Sequence, residues 1–141
     1  MKNEPLVIER TFNATPSKIW EAITNKDEMK QWYFDLAEFK LEVGFEFQFL
    51  GGTGTNKYLH ICKVTEFIEC KKLTYSWRYE GCEGISFVTF ELFAVGDKTR
   101  LKLTHEGIET FPENNPELAR GNFAEGWTHI IGKALKEYLE R

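Results

Sequence analysis

The chain has no surplus of positive charge: across 141 residues, 22 acids outnumber 18 lysines and arginines, for a formal net charge of −4. Nucleic-acid partners rely on a basic stripe, and this balance argues against them. Lysines and arginines are scattered among acids, so there is no polybasic patch for an anionic lipid surface. No apolar run approaches the roughly 18 residues that span a bilayer, so no membrane insertion is expected. The opening Met1-Lys2-Asn3-Glu4-Pro5 lacks the apolar core of a secretory signal. Residues 1–5 read as a flexible tail, and the expected location is cytoplasmic.

Cysteine is scarce as well. Cys62, Cys70 and Cys82 are odd in number and show no C-x-x-C spacing. A disulfide framework or zinc site is therefore not expected, and the thiols read as small apolar groups. Catalytic signatures are missing too, with no Gly-x-Ser-x-Gly elbow and no His-Glu-x-x-His pair. The Gly51-Gly52-Thr53-Gly54 segment lacks the Lys-Ser/Thr pair that opens a helix in a phosphate cradle. Lys57 instead opens a strand, so the glycines read as a hairpin turn. No cofactor and no metal are expected.

What the chain has in abundance is aromatic residues, 15% of the total, with 12 Phe, 5 Tyr and 4 Trp. Such rings either fill a core or line a pocket. Leu6 to Asn13 reads as a first strand. Thr15-Pro16 supplies a hydroxyl cap and a proline at the first helical position, with Ile19, Trp20, Ala22 and Ile23 at helical spacing behind it. Asn25 with Glu28 resembles a capping box, opening a short second helix whose stripe is Met29, Trp32 and Tyr33. The middle is a meander of runs: Leu36–Val43, Phe45–Leu50, Lys57–Ile68, Leu73–Glu80, Ile85–Ala94 and Thr99–Gly107. With the first strand that makes seven, and the short turns between them impose antiparallel pairing.

The last hairpin fixes a register. A two-residue turn at Gly96-Asp97 sets Val95 opposite Lys98 and Glu91 opposite Lys102. Val88, Phe90 and Leu92 then share a face with Leu101, Leu103 and His105. Leu73-Tyr75-Trp77-Tyr79 and Phe45-Phe47-Phe49 alternate in the same way, as in a sheet covered on one side. Tyr58 to Ile68 breaks the alternation, which predicts a bulge. From about Glu117 to Leu139 a long amphipathic helix carries Phe123, Trp127, Ile130, Ile131, Ala134, Leu135 and Tyr138 on one stripe. Its natural partner is the aromatic sheet face. Gly121, Gly126 and Gly132 on that helix either permit close packing or leave room for a guest. The Phe111-to-Pro116 segment before it is a connector or a gate.

Three histidines are present. His60 and Cys62 share a strand face, but two ligands without a third make weak evidence for a metal. His105 faces inward, either as a satisfied core histidine or as a group that bonds a ligand or moves a proton. His129 lies off the stripe and is expected in solvent.

The stretch Ile8-Glu9-Arg10-Thr11-Phe12-Asn13-Ala14-Thr15-Pro16, with Ile19-Trp20-Glu21-Ala22-Ile23-Thr24 and Gln31-Trp32, resembles the opening of the activator of heat-shock protein 90 ATPase homologue family. That family belongs to the START-like (SRPBCC) superfamily. Val43-Gly44-Phe45-Glu46-Phe47, Leu73-Thr74-Tyr75-Ser76-Trp77, Thr99 to His105 and Gly126-Trp127 match in the same order, over nearly the whole chain. The resemblance implies a single START-like domain over residues 1–141 with an α+β helix-grip (Bet v-like) fold. In that fold a curved seven-stranded antiparallel sheet grips a long C-terminal helix, two short helices follow the first strand, and a hydrophobic cavity lies between sheet and helix. The eukaryotic activators add a separate chaperone-engaging domain that this sequence does not show.

The functional expectation is therefore a module that binds a small hydrophobic or aromatic ligand, lipid-like or polyketide-like. Its lining is expected to come from Trp32, Phe47, Phe49, Tyr75, Trp77, Phe90, Leu103, His105, Phe123, Trp127 and Ile131. The alternatives are a co-chaperone-like module with a chaperone partner, and a cyclase or hydratase acting through His105. No catalytic residue is assigned.

Overall fold

The computed structural model describes residues 4–34, 36, 38–53, 56–112, 118 and 120–140. The elements run β1 (Leu6–Phe12), α1 (Pro16–Thr24), α2 (Lys26–Trp32), β2 (Glu46–Thr53), β3 (Asn56–Ile68), β4 (Lys72–Tyr79), β5 (Ser86–Val95) and β6 (Lys98–Glu106). A 3-10 turn (Ile108–Thr110) precedes the closing helix. That helix comprises α3 (Arg120–His129), a π-helical stretch (Ile130–Leu135) and a last turn, α4 (Lys136–Leu139). The strands form one antiparallel sheet in the order β1-β6-β5-β4-β3-β2.

Local chemistry sets the elements. Thr15 caps α1 by accepting from the Lys18 amide at 3.2 Å, with Pro16 at the first helical position. Asn25 accepts from the amides of Asp27 and Glu28 and so starts α2. Only that half of the expected capping box forms. The Glu28 carboxylate instead accepts from the Tyr138 hydroxyl at 2.8 Å, tying α2 to the closing helix. Gly96, at φ +65°, takes the first central position of the β5–β6 turn, and Val95 pairs with Lys98 and Glu91 with Lys102 as expected. The expected irregularity in β3 falls between Val64 and Glu66, where the register against β4 shifts by one residue.

The strand count is corrected from seven to six: among the described residues, Leu36 and residues 38–45 form no strand. Leu36 is buried, and Phe39 packs its edge on Phe47 with ring centroids 5.1 Å apart. The segment thus covers one end of the core without joining the ladder. The glycine-rich turn is also shorter than expected. Gly51 and Gly52 are ladder residues opposite Tyr58 and Lys57, and positions 54–55 lie outside the described residues, as do Glu117 and most of the 111–116 connector.

The closing helix buries Phe123, Trp127, Ile131, Leu135 and Leu139, each four residues from the next. Four residues of α-helix turn through about 400°, so such a row would drift by about 40° per step. The wider i→i+5 turn at Ile130–Leu135 counters that drift and keeps the row on the sheet. This row shares one buried cluster with Leu73, Tyr75, Trp77, Val88, Phe90, Leu101 and Leu103 of the sheet, and Trp127 meets Trp77 and Phe90 directly.

Candidate functional site

The rings of sheet and helix do not close completely. Between them lies a cavity of about 230 Å³. Gly51, Tyr58, His60, Trp77 and Tyr79 form its sheet wall, and Phe34 closes one side from the segment after α2. The opposite wall is Leu118, which precedes the helix, with Phe123 and Trp127 on it, together with the i, i+4 row Asn122, Gly126, Ile130 that flanks the buried stripe. No described lining residue is a lysine, arginine, aspartate or glutamate.

His60 sits in a cage of rings. Phe49 stacks on it at 4.5 Å and 18°, while Trp77 and Tyr79 present edges at 5.0 and 4.7 Å. Glycine at position 51 makes room for it, because a Cβ there would lie 2.9 Å from the imidazole Cε1. The His60 Nδ1 lies 2.9 Å from the Tyr58 carbonyl oxygen. A carbonyl only accepts, so Nδ1 carries the proton and Nε2 is left as a bare acceptor. Desolvation lowers the His60 pKa to about 4, against two backbone carbonyls that raise it. The ring is therefore neutral at pH 7.

His105 is bound differently. Trp127 Nε1 can only donate, and it lies 3.0 Å from His105 Nδ1. His105 is thus the Nε2–H tautomer, and it donates to Ser86 Oγ at 2.7 Å. Ser86 in turn donates to the Trp77 carbonyl at 3.1 Å. Both ring nitrogens are committed, the residue is buried, and burial lowers its pKa to about 3. The chain Trp127–His105–Ser86 fixes the tryptophan that walls the cavity. His105 does not line the cavity and holds no free pair to act as base.

Of the eleven residues expected to line a pocket, Trp77, Phe123 and Trp127 do so. The other eight lie in the core around it. Phe49 backs His60, and Phe47 sets its edge on Tyr75 at 5.1 Å. The Tyr75 hydroxyl shares a 2.7 Å hydrogen bond with that of Tyr33, and Trp32 donates to the Ala22 carbonyl at 2.9 Å. Phe90, Leu103 and Ile131 are fully buried, and His105 is the relay just described. Sequence reasoning did not single out Phe34, Tyr58 or Asn122, placed Tyr79 and Ile130 on apolar faces without assigning them to the lining, and gave His60 a different part. The row at 122, 126 and 130 did carry a signal, since it runs parallel to the stripe at helical spacing with a glycine at its centre. At Gly126 an added Cβ would meet nothing within 4 Å, whereas at Gly132 it would meet the Arg10 guanidinium at 3.4 Å.

The remaining candidates do not form reactive centres. Burial pushes the Cys62 thiol far above its usual range, so it stays protonated. His129 is exposed. Among the described residues no three His, Cys, Asp or Glu side chains gather as a metal group, and no helix is long and apolar enough to cross a membrane.

Trp77 Nε1 donates to the Tyr79 hydroxyl at 2.8 Å, and both residues are buried. Tyr79→Phe removes that acceptor and is expected to cost about 1–3 kcal/mol, the penalty of an unpaired buried donor. Urea denaturation with an unchanged slope checks it. A neutral result would mean that a cavity water replaces the phenol.

A family model described as Activator of Hsp90 ATPase homolog 1-like protein matches residues 13–140. No curated relative matches the chain in sequence. Among solved structures, protein Mll3558 from Rhizobium loti superposes with a TM-score of 0.84 at 22% identity, over 96% of each chain. The Aha1 dimer from Colwellia psychrerythraea superposes at 0.70 with 22% identity, again over 96% of each chain. DynU16, a protein of the dynemicin biosynthetic locus, gives 0.78 at 20% identity over 97% of this chain and 47% of that one. At such identities the likeness establishes the helix-grip fold.

Proposed function

This chain belongs to the Activator of Hsp90 ATPase homolog 1-like family, and from that premise we propose that it holds a small apolar or aromatic molecule between its sheet and its closing helix. The observation that carries the reading is the cavity of about 230 Å³, walled by Phe34, Trp77, Phe123 and Trp127 and sparsely polar. Ligand sites share this make-up, with apolar walls and a few fixed polar groups. Its size suits a one- or two-ring guest, since an apolar cavity of about 150 Å³ already accepts benzene. A long acyl chain or a sterol needs more room. The structural neighbour from a biosynthetic locus is compatible with a guest of natural-product type.

Native mass spectrometry of gently purified protein, followed by thermal-shift titration with small aromatics, lipids and flavonoids, tests the reading. The absence of both adducts and shifts would overturn it. Gly126→Trp supplies a control within the fold. Open space surrounds that position at the cavity wall, and tryptophan is a better helix residue than glycine by several tenths of a kcal/mol. The variant is expected to fold at least as stably as the parent and to lose adducts and shifts.

A chaperone partner draws on the family description and on exposed apolar side chains of the outer sheet face, Ile85 and Phe87. The Gly126→Trp plug separates the two readings, because it fills the cavity and leaves the outer face intact. A cyclase acting through His105 gains no support, as both nitrogens of that ring are bonded within the core.

A further inference from the structure

The polar content of the cavity is unequal. Tyr58 and Asn122 each make further interactions within the protein, and the Tyr79 oxygen already accepts from Trp77. His60 Nδ1 donates to the Tyr58 carbonyl at 2.9 Å, and the Phe49 carbonyl also acts on the ring from the neighbouring strand. Among the described residues no sealed side-chain nitrogen or oxygen lacks a partner. Nε2, which has none, must therefore be reached from the cavity that its ring lines. It is a lone pair of fixed direction, since Phe49 stacks on one face of the ring and the edges of Trp77 and Tyr79 hold it from the sides.

Resting on the ligand-holding reading above, we propose that the guest carries an uncharged hydrogen-bond donor, a hydroxyl on a one- or two-ring aromatic skeleton, and that it places this hydroxyl on Nε2 of His60. Three observations converge on this class. A purely apolar guest would cover Nε2 and leave a buried acceptor unpaired, which is unfavourable. An anionic guest would bring a second acceptor to an acceptor, with no lysine or arginine among the described lining residues to neutralise it. A neutral hydroxyl satisfies the lone pair and lets its ring lie against Trp77, Trp127 and Phe34, whose faces favour offset or edge contacts. Burial keeps the imidazole neutral at pH 7, so the lone pair stays available.

The test uses three probes of one shape, namely 2-naphthol, naphthalene and 2-naphthoate, titrated at pH 7 and read by quenching of Trp77 and Trp127 fluorescence. The expected order is 2-naphthol tightest, with naphthalene roughly five- to tenfold weaker, the factor of a single net hydrogen bond, and 2-naphthoate weakest. In His60→Phe, which keeps a ring in the cage but no acceptor to cover, the naphthol preference is expected to vanish and naphthalene to bind at least as tightly as to the parent. Equal binding of naphthol and naphthalene to the parent protein, or tightest binding of naphthoate, overturns the inference and leaves the cavity reading standing. Failure of all three probes to bind, and to be excluded by Gly126→Trp, sinks the cavity reading and the inference with it. The comparison of probes on the parent protein decides the matter even where His60→Phe does not fold.

Discussion

Below pH 6 the protein is expected to lose stability steeply, because unfolding releases two histidines that the fold holds neutral. The folded pKa values are lowered from 6.5 to about 3 for His105 and about 4 for His60, in both cases chiefly by desolvation. A depressed pKa contributes stability that is complete above the unfolded value and is lost as pH falls toward the folded one. Among the described residues no charged side chain acts on either ring to offset this. His105 meets Ser86, Trp77, Phe123 and Trp127, and His60 meets Phe34, Phe49, Trp77 and Tyr79. By pH 4.5 each ring forfeits about 2.7 kcal/mol, roughly 5 kcal/mol together, at 1.36 kcal/mol per pH unit. That equals the whole stability of a marginal domain. Denaturant titrations at pH 7, 6, 5 and 4.5 check it: proton uptake on unfolding approaches two between pH 4.5 and 5.5. A flat profile from pH 7 to 5 would show that the rings are solvated. His105→Gln is expected to remove one of the two protons from the slope.

Histidine placement also marks where the sequence stopped being informative. The register of β5 against β6 was legible because a two-residue turn leaves only one pairing of the alternating runs, and His105 came out on the inner face from that alone. Its tautomer was not, since that depends on Trp127, 22 residues away on an element whose rotation the stripe leaves open. Leu36–Val43 alternates like a strand, yet Leu36 and Phe39 use their apolar groups to cover the core and Val43 stands in solvent at 66% exposure. Alternation reports which residues are buried and not whether their backbone finds a ladder partner. The walls of the cavity were legible where they belong to regular elements, at Trp77, Phe123 and Trp127. Tyr58, Phe34 and the open nitrogen of His60 were hidden because they depend on a strand whose alternation breaks and on chain after α2 with no periodicity.

Trp127 joins stability to the site, and Trp127→Ala is expected to be the most damaging single substitution on the closing helix. Its ring lies 5.5 Å from Trp77 and 6.2 Å from both Phe90 and Tyr33, and its Nε1 supplies the Nδ1 bond of His105. Truncating a buried tryptophan costs about 3–5 kcal/mol, which for a domain of this size lowers the melting temperature by on the order of 12 °C. Trp127→Phe separates the two roles. It keeps most of the ring but removes the N–H, so it is expected to cost about 1–3 kcal/mol and to leave the neutral imidazole of His105 less stabilised. A donor to Nδ1 favours the neutral form, so losing it raises the folded pKa of His105 and shrinks the interval over which acid destabilises the fold. The Phe variant should therefore be less stable than the parent at pH 7 while losing less on acidification. Nitrogen-15 spectra of the imidazole report the change in tautomer and pKa directly. A Phe variant with the parent's acid slope would mean that desolvation alone sets the His105 pKa and that the tryptophan contributes only its bulk.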